Sequence, residues 1–178
     1  MTLLKYIYFL AKSTNQHGVH SPFVYDFITK CLYSRKKIDE KESYSATIEG
    51  INPKQYNLLL KSMRYFGVKT VFVDSENLKN AILGAGIDVS VDVKLKDNQK
   101  YDIIFLQNIS QPSNITSLLT YMHNNSVLII NNLYKNTPTL AWQEFTSHPQ
   151  VTACINIFTQ GYIFIRNEQG KEFFYIRV

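Results

Sequence analysis

The spacing of apolar and polar positions changes near residue 68, and the two halves predict different elements. In the first half the spacing is helical. Residues 2–12, TLLKYIYFLAK, set Leu3, Leu4, Ile7, Tyr8 and Leu10 along a helical stripe. Asn15 to His20 read as a turn into a second helix. Ser21 can accept from that helix's first unpaired amides, and Pro22 suits the first helical position, where no donor is needed. The helix carries Phe23, Val24, Phe27, Ile28, Cys31 and Leu32 along one side. Residues 34–50 are polar and turn-rich. A third helix is predicted from Pro53 to Phe66, with Tyr56, Leu59, Leu60 and Met63 inward and Gly67 ending it.

From Lys69 onward, strands alternate with helices. KTVFVD (69–74) is a short apolar strand, and SENLKNAILGAG (75–86) a helix that stops on Gly84-Ala85-Gly86. IDVSVDVKL (87–95) alternates strictly, which predicts one wet face and a place toward a sheet edge; Asp88 and Asp92 fall on that face, within the strand. YDIIFLQ (101–107) and SVLIIN (126–131) are continuous apolar runs, as central parallel strands should be, with a helix over about 112–124 between them. TPTLAWQEFTSH (137–148) predicts a further helix with Leu140, Ala141 and Phe145 inward. The last runs, VTACINIF, YIFIR and EFFYIRV, are separated by Thr159-Gln160-Gly161 and Asn167-Glu168-Gln169-Gly170, which predict hairpins and an antiparallel tail. The expected architecture is α/β: a Rossmann-like open sheet, mostly parallel, with antiparallel C-terminal strands. A helical cap over 1–67 precedes the α/β core over 68–178, the two forming one compact unit.

Composition narrows the function classes. A chain of 178 residues that is 45% hydrophobic can bury a proper core, which excludes disordered and disulfide-stapled chains. Cys31 and Cys154 lie far apart without a CxxC pattern, so two buried thiols in a reducing, cytoplasmic setting are expected. No apolar run reaches the ~20 residues of a membrane helix. The short apolar N-terminus lacks a small-residue cleavage site, so no signal peptide is expected. The net charge of +5 is all N-terminal: residues 1–67 hold 10 Lys/Arg against 5 Asp/Glu, and the remainder 9 against 9. Acids follow Arg35-Lys36-Lys37 at Asp39, Glu40 and Glu42, which fits a solvated loop better than a nucleic-acid face. Neither nucleic acid nor a membrane is expected as a partner. His17 and His20 lack the further ligands that zinc demands, and His123, in the last turn of its predicted helix, and His148, at the end of its own, suit the negative helix ends there. Trp142 is expected partly in the core, with stacking on a ligand as the alternative.

Two long motifs carry a resemblance. His17-Gly18-Val19-His20-Ser21-Pro22-Phe23-Val24 opens the chain, and the run from Ala141-Trp142 to Arg177 has the pattern AW…HP.V…I..F..G..F.R…F.IR. Together with YDIIFLQ and SVLIIN, this resembles a class I S-adenosylmethionine-dependent methyltransferase, and more narrowly a bacterial branch with an HGVHSPFV-type segment. The resemblance covers nearly the whole chain outside roughly 34–100. It implies a Rossmann-like fold with cofactor and catalytic groups at the carboxy ends of the parallel strands.

At those ends the chain departs from what the resemblance implies. The family's first strand ends in an acid followed by a glycine-rich loop, whose glycines let backbone approach the cofactor. Here the stretch is Val73-Asp74-Ser75-Glu76-Asn77-Leu78-Lys79, without a glycine. A terminal acid on the second strand should hold the ribose, whereas Asp88 and Asp92 read as interior. The family's fourth strand ends D-x-x-F-x-D and its fifth ends in paired Asp; here those places hold Gln107, Asn131 and Asn132. An amide keeps an acceptor oxygen but has no charge and is no base at neutral pH, which argues against a carboxylate metal site. The stretch from Asp74 to Gln107 is also too short for two βαβ units of ~30 residues, so one strand fits where the resemblance implies two.

The expectation is therefore a pseudo-methyltransferase: a methyltransferase-like binding or assembly module without catalysis, cofactor or metal. One alternative is an active S-adenosylmethionine-dependent methyltransferase with unusual cofactor contacts from Asp74, Ser75, Glu76, Gln107 and Asn108. The other is a sensor that holds a small polar molecule at Gln107, Asn131 and Asn132, with Trp142 beside it. The expected partner is a protein or a small molecule. The self-association to consider is a homodimer through the aromatic tail 151–178, with Phe164, Phe173, Phe174 and Tyr175.

Overall fold

A computed structural model of the protein describes residues 2–35, 48–107, 109, 115–134 and 139–178. The helical part comprises α1 (Thr2–Lys12), a 3₁₀ turn (Gln16–Gly18), α2 (Pro22–Phe27) running into a π-helical turn (Ile28–Leu32), and α3 (Pro53–Phe66). Ser21 caps α2 by accepting from Val24 N at 3.3 Å, with Pro22 as the first helical residue. A capping box opens α3: Asn52 Oδ1 accepts from Gln55 N, and Gln55 Oε1 accepts from Asn52 N, both at 2.9 Å. Gly67 closes it in the left-handed region.

The α/β part follows as β1 (Thr70–Val73), α4 (Glu76–Gly84), β2 (Ser90–Asp92), β3 (Ile103–Leu106), α5 (Ile115–Leu119), β4 (Val127–Asn131), α6 (Thr139–Ser147), β5 (Ala153–Asn156), β6 (Gln160–Phe164) and β7 (Glu172–Tyr175). Seven strands form one sheet in the order β2-β1-β3-β4-β6-β5-β7. The first four are mutually parallel, and β6 runs antiparallel to both β4 and β5. Successive strand residues face alternate sides. Val71, Ile103, Phe105, Val127 and Ile129 join one hydrophobic cluster with residues of α2, α3 and α4. Phe72, Ile104, Leu106, Leu128 and Ile130 join a second cluster with α5 and α6. Both faces are thus covered, which is why β3 and β4 read as unbroken apolar runs. Tyr56, Leu59, Leu60 and Met63 are buried as expected, as are Ala141 and Phe145; the Leu140 side chain lies outside the described ones.

Three expectations need correction. The alternating run 87–95 does lie at the sheet edge, but only Ser90–Asp92 pair, so Asp92 ends the strand instead of lying within it. The tail is not two successive hairpins. β5 and β6 form one, but β6 is already flanked by β4 and β5, so β7 can join only at the outer edge of β5, to which it is parallel. Finally, the apolar stripe of α1 faces outward: Leu3, Leu4, Ile7, Tyr8 and Leu10 are exposed, and Phe9 alone is buried. Phe9 meets Phe158 and Tyr175, with ring centroids 5.4 and 6.2 Å apart, which anchors the helix beside the β5–β6 turn.

One strand, β2, lies between β1 and β3 in the chain. Residues 93–102 then return across β1 without a helix, packing Leu95 and Tyr101 into the second cluster, with the Tyr101 ring edge-on to Phe72 at 6.0 Å.

Candidate functional site

The chain leaves β1 toward β2 on one side and resumes at β3 on the other, so the strand order reverses between β1 and β3. In open α/β sheets the crevice at that reversal, outside the carboxy ends, is the ligand position. Asp74 follows β1 and Gln107 follows β3. They meet there: both carboxylate oxygens of Asp74 accept the backbone N–H of Gln107, each at 2.9 Å. Ser75 caps α4 by accepting from Leu78 N at 3.4 Å, so the chain's own hydroxyl occupies that helix start. Glu76 points to solvent and pairs with Lys79 at 3.8 Å.

A turn lies over these strand ends. Ile51 N donates to Ile48 O at 3.2 Å, both isoleucines are buried in the first cluster, and Gly50 between them takes φ +78°, a conformation that favours glycine. The carbonyls of Glu49 and Gly50 are what the rim amides hold. Gln107 Nε2 donates to Glu49 O at 3.0 Å; Asn131 Nδ2 and Asn132 Nδ2 donate to Gly50 O at 3.3 and 2.7 Å. A carboxylate has no hydrogen to donate. The amides at these places therefore have a structural reason: they fasten a loop that acids would repel.

A second layer supports the first. Gln55 Nε2 donates to Asn132 Oδ1 at 3.1 Å, and Gln160 Nε2 to Asn131 Oδ1 at 3.1 Å and Gln55 O at 3.3 Å. Tyr162 Oη donates to Gln160 Oε1 at 2.9 Å. Asn131 and Gln160 are 0% exposed, and burial drives the Tyr162 phenol far above its ordinary pKa, so the network stays neutral. Gln55, Gln160 and Tyr162 escape a motif search. Two signals could have found them: the N-x-x-Q capping box at Asn52, and a lone amide heading the apolar strand QGYIF.

The remaining candidates lie apart. Asp92, at the carboxy end of β2, accepts from Tyr101 Oη at 3.1 Å and pairs with Lys96 at 2.6 Å; Asp88 is a solvated partner of Lys69. Trp142 is half-buried on α6, beside a cleft of about 350 Å³ that Tyr8, Tyr134 and Tyr175 also line. It does not join the amide rim. Asn108 lies outside the described residues.

The histidines are held by more than helix dipoles. His123 Nε2 lies 2.9 Å from Asp102 Oδ1, at the opposite, amino edge of the sheet, and His148 Nε2 lies 3.3 Å from Thr116 Oγ1. Asp102 Oδ2 also accepts from the N–H groups of Lys69 and Thr70 at 2.7 and 2.8 Å. Burial alone would raise this carboxyl's pKa, but these donors together hold it below its ordinary value. His17 and His20 are exposed, and among the described residues no three His, Cys, Asp or Glu side chains are grouped to hold a metal ion. Among the described residues, no helix is long and apolar enough to cross a membrane.

Compared with protein-family models the chain matches none, and a search of curated proteins finds no match either.

Proposed function

We propose that the protein is a methyltransferase-like scaffold without catalysis, kept as a binding or assembly module. The observation that carries this is the fastening of Glu49 O and Gly50 O by Gln107, Asn131 and Asn132, over the strand ends where a cofactor would lie. The rim is a poor fit for S-adenosylmethionine. Its β1–α4 turn has no glycine, its helix start is capped by Ser75, and the Asp74 carboxylate closes on Gln107 across the crevice. Asp92 does stand where a ribose-binding acid belongs, but both of its oxygens are engaged by Tyr101 and Lys96. A single strand between β1 and β3 fits a sheet shortened on the adenosine side. Thermal unfolding with millimolar S-adenosylmethionine tests this reading: a ligand of the native state must raise the midpoint. No shift is expected.

The cleft beside Trp142 favours one second reading, a small-molecule sensor. Its walls are mainly aromatic and aliphatic, with Lys5 and Gln143 as polar groups, so it would take a flat, largely apolar ligand and not the polar one anticipated at the amides.

A further inference from the structure

Phe9 fixes α1 to the body, and one flank of the helix forms a wall of the cleft of about 350 Å³ that it shares with α6 and β7. Lys5, Tyr8 and Lys12 follow i, i+3, i+7 spacing, so they lie along that one flank. Lys5 and Tyr8 line the cleft together with Tyr134, Trp142, Gln143 and Tyr175. Its aromatic side is built firmly. Tyr134 stacks on Phe158 with ring centroids 4.7 Å apart, and its hydroxyl accepts from Asn156 Nδ2 at 2.9 Å. Lys12 Nζ lies 4.5 Å from the centre of the Tyr8 ring and 5.8 Å from that of Tyr175. Lys5 Nζ donates to Tyr134 O at a long 3.4 Å, which uses one of the hydrogens its ammonium can offer. Among the described residues neither lysine pairs with an acid, and no Asp or Glu lines the cleft.

We propose that this cleft binds a small planar aromatic acid, its ring among Tyr8, Tyr134, Trp142 and Tyr175 and its carboxylate met by Lys5 and Lys12. The inference rests on the second reading above, that the cleft holds a small molecule, and adds the sign of that molecule's charge. An aromatic box can hold either a flat ring or a cation. Two ammonium groups on one flank, with no acid beside them, repel a cation and attract an anion. A wholly apolar ligand would strip water from Lys5 without replacing its hydrogen bonds, whereas a carboxylate accepts them. The volume stands near the lower end of the usual range for small-molecule sites, about 300–1,000 Å³, which suits a compact ring system and not a ligand of dinucleotide size. Trp142 does not join the amide rim, so occupancy of the cleft does not depend on the crevice at the strand ends.

Trp142 is the chain's one tryptophan, so its indole N–H cross-peak in a proton–nitrogen correlation spectrum reports on the cleft without further assignment. The test titrates the full chain at neutral pH with naphthoate, with the neutral naphthamide and with naphthylmethylammonium. Naphthoate should shift that peak saturably, with an affinity about fivefold or more above that of naphthamide, and the ammonium should bind weakest. The pair Lys5→Gln and Lys12→Gln breaks no ion pair, so its thermal midpoint should match the parent. Its affinity for naphthoate should fall about fivefold or more while that for naphthamide stays the same. Equal affinities for naphthoate and naphthamide, or tightest binding of the ammonium, overturn the proposal. So does a folded double variant that binds naphthoate as the parent does. In each of those cases the cleft remains a small-molecule site of other chemistry. A peak that none of the three probes moves overturns both the proposal and the reading beneath it.

Discussion

The ring of Trp142 on α6 packs with its Cζ3–Cη2 edge against Gly161 on β6: a Cβ at 161 would stand 2.5 Å from Cζ3 and 2.6 Å from Cη2. Neither residue explains the other in sequence, yet together they set how closely α6 approaches the sheet.

Gly161→Ala should therefore cost about 1–3 kcal/mol of stability, as overpacking does. Replacing Trp142 by Leu removes the obstructing ring. In denaturant melts the double variant should lose clearly less than the sum of the two single losses. Additive losses would mean that the helix moves aside freely.

Placing acids at the rim should harm the fold without creating a site. Asn131→Asp removes the N–H that Gly50 O accepts and puts a carboxyl into a fully buried network, at a cost of about 2–4 kcal/mol. Gln107→Glu loses the donor to Glu49 O at a more exposed place and should cost about 1 kcal/mol. Neither variant should bind Mg²⁺ in a calorimetric titration.

At the opposite edge, Asp102 should contribute to acid stability. Its carboxyl pKa is lowered in the folded state, so its stabilising effect is complete above the ordinary carboxylate pKa, near pH 4, and is lost as pH falls through the folded value. Asp102→Asn should lower the melting point at pH 7 and flatten the fall in stability below pH 4. An unchanged acid limb in that variant would assign the effect to other groups.

Burial raises the Cys31 thiol to about 11 and the Cys154 thiol to about 12. Neither should react with a disulfide reagent at pH 8 while the protein is folded, and both should react at once in denaturant. Fast reaction of either in the native state would contradict its place in the core.

The order of elements was largely legible because apolar spacing reports burial directly. The continuous runs at 103–106 and 127–131 mark strands covered on both faces, and the cap at Ser21-Pro22 is local chemistry. The facing of α1 was not legible: a stripe says that one side differs, not that it points inward. The place of β7 depends on which edge of β5 stays open, which no local pattern encodes. At the rim, the sequence placed amides where the resemblance implies acids, but it gave no reason for them. The partners of Gln107, Asn131 and Asn132 are main-chain carbonyls of a turn more than fifty residues distant, and a backbone acceptor leaves no trace in residue identity.

The most direct test of the central claim is calorimetric titration of the folded protein, at hundreds of micromolar, with S-adenosylmethionine and S-adenosylhomocysteine. The account predicts no saturable heat from either, because the turn at Glu49-Gly50 is fastened over the strand ends and the Asp74 carboxylate is engaged by Gln107 N. Saturable binding in the micromolar range would contradict it and favour an active methyltransferase instead.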